Sequence, residues 1–98
     1  MHLNVCSIYN KISDISLLLN FHNIDIASLN ETWLNNNINS DELLFYNYSV
    51  YRIDRSTKGG GVMILINNKF SCNLENTFLS DNLELLHISF DRANCKPP

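Results

Sequence analysis

The first third of the chain constrains the fold most, because it reads as a strand, a helix and a second strand. Residues Leu3 to Ile8 alternate between apolar and polar side chains, which is typical of a half-buried strand. Asn10 is a favourable N-cap, and the apolar residues that follow at helical spacing are Ile12, Ile15, Leu18 and Leu19. This helix is predicted to end near residues 20–23, and Ile24 to Leu29 form the second predicted strand. Two strands joined by a helix in about thirty residues pair in parallel through a right-handed crossover, so the predicted class is α/β.

The rest of the chain is predicted to add strands and no further long helix. An asparagine-rich loop follows Leu34, with a short helical turn expected around Asp41 to Phe45. The further predicted strands are Tyr48 to Arg52, Gly61 to Ile66 and Leu83 to Phe90. The strand from Gly61 is apolar on both faces, so we expect it to need cover on both sides of its sheet. At 98 residues, without a linker or a repeat, residues 1–98 are expected to form one domain or part of one.

Charge and composition exclude several classes of function. Seven basic and ten acidic residues give a net charge of −3, the wrong sign for binding nucleic acid through bulk electrostatics. No apolar run approaches the roughly 18 residues of a membrane span, and the amino terminus does not resemble a signal peptide. Three widely spaced cysteines offer neither a disulfide framework nor paired zinc ligands. The sequence therefore predicts an intracellular protein that does not associate with membranes.

Two polar residues are expected to meet at the carboxyl ends of the predicted parallel strands. Asn4 lies on the first strand, and Glu31 follows the second. Ligands of open α/β sheets bind in the crevice beyond these ends, and one carboxylate beside an amide could hold a Mg²⁺ ion that keeps most of its waters. We expect the Glu31 carboxylate to face the Asn4 side chain. The alternative is structural: Glu31 would cap a loop, and Asn4 would satisfy a nearby backbone group.

The segment between the third and fourth strands combines glycines with the only local basic cluster. Gly59–Gly61 could cradle a phosphate, but the triplet precedes a strand, so a flexible turn is the favoured interpretation. Arg52, Arg55 and Lys58 flank the glycines and could contact a DNA backbone, although a solvated loop face explains them equally well. Trp33 could stack on a base, but a tryptophan next to a strand end is predicted to fill the core.

Taken together, these residues resemble a known superfamily. The residues that carry the resemblance are, in order, Leu3-Asn4-Val5-Cys6-Ser7, Asn10-Lys11, Ile24-Asp25-Ile26, Leu29-Asn30-Glu31-Thr32-Trp33-Leu34, Tyr48, Tyr51-Arg52, Asp54-Arg55 and Gly59-Gly60-Gly61-Val62. The ordered set is similar to the amino-terminal half of the endonuclease/exonuclease/phosphatase superfamily. It most resembles the apurinic-endonuclease-like domain of non-LTR (LINE-type) retrotransposons.

The resemblance implies a fold, a reaction and two site residues. The fold would be the amino-terminal half of a four-layer, DNase I-like α/β sandwich. The family's metal-binding glutamate matches Glu31, and its active-site asparagine matches Asn4. In the family, hydrated Mg²⁺ on the scissile phosphate and an Asp/His pair cleave one DNA strand. The resulting 3′ hydroxyl primes reverse transcription in the nucleus.

The chain also departs from the family pattern. No Ser-Asp-His segment occurs, and Asp91 and Asn94 do not fit the family's Asp-x-Asn. We therefore expect a fragment that is inactive alone, with the remaining catalytic segments and a reverse transcriptase encoded downstream. Two alternatives stay open: a repair-nuclease or phosphatase relative of the same superfamily, and a non-catalytic relic of a retroelement.

Overall fold

The computed structural model describes residues 1–55, 59–80 and 83–90 of the chain. Its elements in chain order are β1 (His2–Asn4), α1 (Ile12–Phe21), β2 (Ile26–Asn30), a single-turn 3₁₀ helix (Ser40–Leu43), β3 (Tyr48–Ile53), β4 (Val62–Asn67), β5 (Cys72–Leu79) and β6 (Glu84–Phe90). None of the helices in this described part of the chain is long and apolar enough to cross a membrane.

Four strands form one sheet in the order β1-β2-β4-β3, and β5 and β6 form a separate two-stranded antiparallel sheet. The strands β1 and β2 pair in parallel, with Leu3 opposite Leu29 and Asn4 opposite Asn30. The strand β4 pairs antiparallel with β2 on one side and with β3 on the other. The strand–helix–strand crossover and the α/β class predicted from the sequence are therefore confirmed.

One face of the four-stranded sheet packs against α1 and forms the main core. Side chains alternate along the strands, so residues paired across the sheet share a face. Leu29 and Met63 are paired and fully buried, as are Ala27 and Leu65. The helix contributes Ile15 and Leu19 to the same cluster. The Tyr48 hydroxyl anchors the end of α1 by donating to the Ile24 carbonyl oxygen at 2.5 Å.

The hairpin formed by β5 and β6 lies over part of the opposite face. The apolar residues that line the groove between the sheets include Ile26, Ile64 and Ile66 on one side and Leu86, Ile88 and Phe90 on the other. The groove has a volume of about 620 Å³. Tyr51 on β3 and Cys72 on β5 join the two sheets through a hydrogen bond of 3.0 Å, which together with burial raises the pKa of Tyr51 to about 12. The expectation that β4 needs cover on both faces is met by α1 on one side and, in part, by this hairpin on the other.

Some predicted boundaries were wrong. β1 ends at Asn4 rather than at Ile8, because Cys6 and Ser7 have positive φ and turn the chain away from the sheet. The ammonium group of Lys11 donates to the carbonyl oxygens of Val5, Cys6 and Ser7 and so stabilises this turn. Lys11, not Asn10, is the N-cap residue of α1, and it makes no capping hydrogen bond through its side chain.

The strand β5 was not predicted. Its sequence, Cys72 to Leu79, interleaves Asn and Glu with apolar residues, and almost all of its side chains are exposed. It is stabilised by its antiparallel pairing with β6, which includes an irregularity between Leu74 and Asn76. Because almost none of its side chains is buried, β5 does not show the apolar alternation by which a strand is predicted.

Candidate active site

The backbone holds Glu31 at the carboxyl end of β2, as predicted. Its amide donates to the Gly61 carbonyl oxygen at 2.9 Å, and its own carbonyl oxygen accepts from the Ser7 amide at 2.8 Å. Glu31 thus bridges the glycine segment before β4 and the turn after β1. Its φ of 59° lies in the left-handed region. This conformation costs a non-glycine residue about 1 kcal/mol or more, and residues held in it cluster at functional sites.

The two oxygens of the Glu31 carboxylate differ in the partners that the described residues give them. Its Oε2 atom accepts hydrogen bonds from Trp33 Nε1 at 2.8 Å and from the Gly60 amide at 3.0 Å. These two donors, followed by the nearby positive charge of Arg55, lower the pKa of Glu31 against the opposing effect of partial burial. Within the described ranges, Oε1 accepts no hydrogen bond. The side chain therefore presents an ionised carboxylate with an unoccupied oxygen.

Trp33 belongs to the site rather than to the core. Its side chain is 44% exposed, so the prediction that it fills the core is wrong. Its amide donates to the Gly60 carbonyl oxygen at 2.9 Å, while its indole donates to Glu31. The backbone turns at Trp33 with a φ of 58°, and this turn directs the ring back towards the carboxylate instead of inward.

The glycine segment leads directly into β4, as the favoured interpretation expected, while the flexibility of this segment stays a prediction. The amides of Gly60 and Gly61 each donate to a carboxylate, Gly60 to Glu31 and Gly61 to Glu84. Gly61 has a φ of 96°, and a Cβ placed on it would lie 2.3 Å from Thr32 Oγ1. Thr32 is buried, and its hydroxyl has no hydrogen-bond partner in the described structure. Gly61 is thus required both by its backbone angle and by the close approach of Thr32.

Asn4 lies beside Glu31 in the fold but is not bonded to it. β1 and β2 end together, and the Val5 amide donates to the Asn30 carbonyl oxygen at 2.9 Å. The Asn4 side chain is exposed, and its Oδ1 accepts from Cys6 Sγ at 3.2 Å. Among the residues that can be described, Asn4 and Glu31 share no hydrogen bond. The pairing of their side chains therefore stays a prediction.

The predicted basic cluster is divided between two ion pairs. Arg52 donates to both oxygens of Asp54 and also to the Asn35 carbonyl oxygen and to Ser40 Oγ. Arg55 Nε donates to Glu84 Oε1 at 2.5 Å. Lys58 lies outside the described residues. A contact of Arg52, Arg55 or Lys58 with DNA stays a prediction. The guanidinium of Arg52 donates to partners within the protein.

Sequence reasoning missed Glu84. This residue begins β6, where one charged side chain precedes an apolar stretch. Its Oε2 atom accepts from the Gly61 amide at 2.9 Å while Oε1 accepts from Arg55. The available signal was the lone carboxylate in an apolar strand, but its partners lie far away in the sequence.

The described residues offer a cation one carboxylate, that of Glu31, so the predicted Mg²⁺ stays a prediction. The described residues contain no cluster of three or more His, Cys, Asp or Glu side chains that could hold a metal ion. The free Oε1 of the ionised Glu31 is the type of ligand that Mg²⁺ accepts, since Mg²⁺ is often bound through one or two carboxylates while it keeps several waters. A single carboxylate would form a weak cation site and not a site closed by several protein ligands.

Comparisons with known proteins identify a fold. No family profile matches the sequence, and no curated protein matches it. Among known structures, the chain is similar to an AP endonuclease from Archaeoglobus fulgidus, with a TM-score of 0.63 and 20% sequence identity. The match covers 84% of this chain and 30% of the archaeal chain. This chain therefore has the fold of part of a DNase I-like α/β sandwich and spans less than a third of the archaeal protein.

Proposed function

We propose that this chain is the glutamate-bearing, amino-terminal part of a Mg²⁺-dependent endonuclease that cleaves phosphodiester bonds in DNA. The observation that carries the proposal is Glu31 at the carboxyl end of a parallel strand pair, with a lowered pKa and with an Oε1 atom that accepts no hydrogen bond from the described residues. The similarity in fold to an AP endonuclease supports the same reaction class. Strand ends of open α/β sheets are also where ligands bind.

The residues of this chain would prepare the site rather than complete the reaction. Mg²⁺ bound there would supply positive charge to offset the charge that develops on a phosphate. Glu31 would hold the cation through Oε1, while Trp33 and the Gly60 amide keep its carboxyl group ionised. Asn4, at the end of the neighbouring strand, would contact the phosphate.

Within this reaction class we favour the retrotransposon type of endonuclease, which nicks target DNA to prime reverse transcription in the nucleus. The support is the Tyr51-Arg52-x-Asp54-Arg55 segment before the glycines, which a repair nuclease or phosphatase of the superfamily is not expected to have. The coding sequence after Pro98 tests this choice. A reading frame with Asp-x-Asn, Ser-Asp-His and a reverse transcriptase is expected. A frame that continues into a repair enzyme would contradict it.

We expect these 98 residues alone not to nick DNA. They contain no Ser-Asp-His segment, and loss of a general base or a phosphate-orienting group typically removes several powers of ten in rate. The missing groups would come from another stretch of chain, with DNA and a reverse transcriptase as partners. Nicking of supercoiled plasmid by this chain in Mg²⁺, abolished by Glu31→Gln, would contradict the expectation.

Isothermal titration with Mg²⁺ tests the role of Glu31. A single carboxylate predicts a dissociation constant of about 1 mM or weaker, equivalent to roughly −4 kcal/mol. Glu31→Gln should abolish the binding, whereas Glu75→Gln, which changes an exposed carboxylate on β5, should leave it unchanged. Micromolar binding that survives Glu31→Gln would place the cation elsewhere and refute the proposal.

A further inference from the structure

Glu84 connects the two sheets at the candidate site. It lies at the start of β6 in the two-stranded sheet, and both of its carboxylate oxygens bond to the segment that precedes β4 of the other sheet. Oε1 accepts from Arg55 Nε at 2.5 Å, and Oε2 accepts from the Gly61 amide at 2.9 Å. The Arg55 and Glu84 side chains are 21% and 13% exposed, so this contact is largely shielded from water.

The amide of the residue before Gly61 contacts Glu31, the residue proposed to bind the cation. The Gly60 amide donates to Glu31 Oε2, one residue before the amide that Glu84 holds. The Arg55 side chain packs against Gly60, since a Cβ on Gly60 would be 2.3 Å from Arg55 Cδ. Two carboxylates from two different sheets therefore hold consecutive amides of one short turn.

We propose that Glu84 is a positioning residue for Glu31, acting through the Gly60–Gly61 peptide. It fixes Gly61, and the adjacent Gly60 amide is thereby aimed at Oε2 of Glu31, which leaves Oε1 free for a ligand. The inference rests on the proposed function only in treating Oε1 as the ligand-bearing atom. A purely structural Glu84 would attach the hairpin through Arg55 and would leave the environment of Glu31 unchanged.

The composition of the chain offers a direct reporter. Its three glycines all lie in this turn, and it has a single tryptophan. Labelling both glycine and tryptophan with ¹⁵N therefore gives three glycine amide signals and one indole signal. The Gly60 signal should follow the protonation of Glu31, and the indole N–H of Trp33 gives a second, independent signal from Glu31.

The experiment compares the pH dependence of these signals in the wild-type chain and in four variants: Glu84→Ala, Glu84→Asp, Glu84→Gln and Glu75→Ala. In Glu84→Ala, the Gly60 signal should lose about half or more of its pH-dependent change, and its midpoint should rise towards that of an ordinary glutamate. Glu84→Asp should behave in the same way, because its carboxylate keeps the charge but is too short to reach the Gly61 amide. It replaces the alanine variant if that variant does not fold. Glu84→Gln should retain the wild-type response, since its amide oxygen can still accept from Gly61. Glu75→Ala, on the same hairpin, should change nothing.

Two outcomes would overturn the inference. A folded Glu84→Ala or Glu84→Asp chain with wild-type Gly60 and Trp33 titrations would show that Glu84 acts only structurally. A Glu84→Gln chain that behaves like Glu84→Ala would assign the effect to the charge pair with Arg55 instead of the bond to Gly61. Neither outcome depends on a metal ion, so failure here is distinct from failure of the Mg²⁺ titration.

Discussion

At the scale of single residues, the chemistry of the site depends on the two donors to Glu31 Oε2. The indole of Trp33 and the amide of Gly60 stabilise the charged carboxylate. Both donors lie in segments with positive φ, one at Trp33 and one at Gly60. The site therefore depends on a strained backbone conformation at Trp33 and on a conformation that favours glycine at Gly60. Local strain of this kind persists where surrounding contacts enforce it.

The lowered pKa of Glu31 predicts a pH dependence of stability. A carboxyl group whose pKa is lower in the folded than in the unfolded chain stabilises the fold above the unfolded value, about 4.3 for glutamate. This stabilisation should disappear as the pH falls through the folded value. Urea denaturation of the wild type should therefore show a loss of stability below about pH 4.3 that is smaller in Glu31→Gln. Equal losses in both proteins would contradict the assignment.

Gly61→Ala should destabilise the chain strongly. A side chain at a φ of 96° is strained, and the added Cβ would meet Thr32 Oγ1 at 2.3 Å. We expect a loss of about 2–4 kcal/mol in the free energy of unfolding, measured by urea denaturation. Gly59→Ala is the matched control, because its φ is also positive but its Cβ would lie 3.9 Å from Trp33 Nε1. Similar losses for the two variants would show that the contact with Thr32 contributes little.

At the scale of elements, Arg52 on β3 serves to hold two loops to the sheet. Its guanidinium group pairs with Asp54 and also donates to the Asn35 carbonyl oxygen, and the Arg52 and Asp54 side chains are only 12% and 8% exposed. Arg52→Gln should lower the free energy of unfolding by about 3 kcal/mol, since it leaves a buried carboxylate without its partner. Lys69→Gln, which breaks an exposed pair with Asp25, should cost less than about 1 kcal/mol. Comparable losses in urea denaturation would refute the structural role of Arg52.

The comparison of sequence and structure is most instructive at this scale. The crossover from β1 to β2 could be predicted because helical spacing and strand alternation are local patterns, and Glu31 followed from where β2 ends. The role of Glu84 could not, because its partner Gly61 is distant in the sequence. The strand β5 could not, because its side chains are almost all exposed and show no apolar alternation. Trp33 was misassigned because large aromatic residues are usually buried, while the turn at this position points the ring towards a carboxylate.

At the scale of the whole molecule, the two-stranded sheet leaves apolar side chains uncovered. The hairpin residues that are about half exposed are Leu74, Phe78, Leu79, Leu83 and Leu85. Exposed apolar surface beside open strand edges favours association between chains. The hairpin covers part of the four-stranded sheet, but its own outer face has no cover within the described residues.

We therefore predict that the isolated chain self-associates. Light scattering after size exclusion should show a mass that rises with protein concentration. The double variant Phe78→Ser/Leu85→Ser, which removes a cross-strand apolar pair, should shift the chain towards a monomer. Leu17→Ser, at a 70% exposed position on α1, should not. A monomer at every concentration, or an equal effect of Leu17→Ser, would contradict the prediction.

We proposed that Glu31 binds a divalent cation through Oε1, and paramagnetic broadening by Mn²⁺ is the sharpest test of this binding. With glycine and tryptophan labelled with ¹⁵N, substoichiometric Mn²⁺ should broaden the Gly60 amide and the Trp33 indole signals first, because both groups bond to the Glu31 carboxylate. An excess of Mg²⁺ should reverse the broadening, and Glu31→Gln should abolish it. Broadening that persists in Glu31→Gln, or that spares Gly60 and Trp33 in the wild type, would contradict the account.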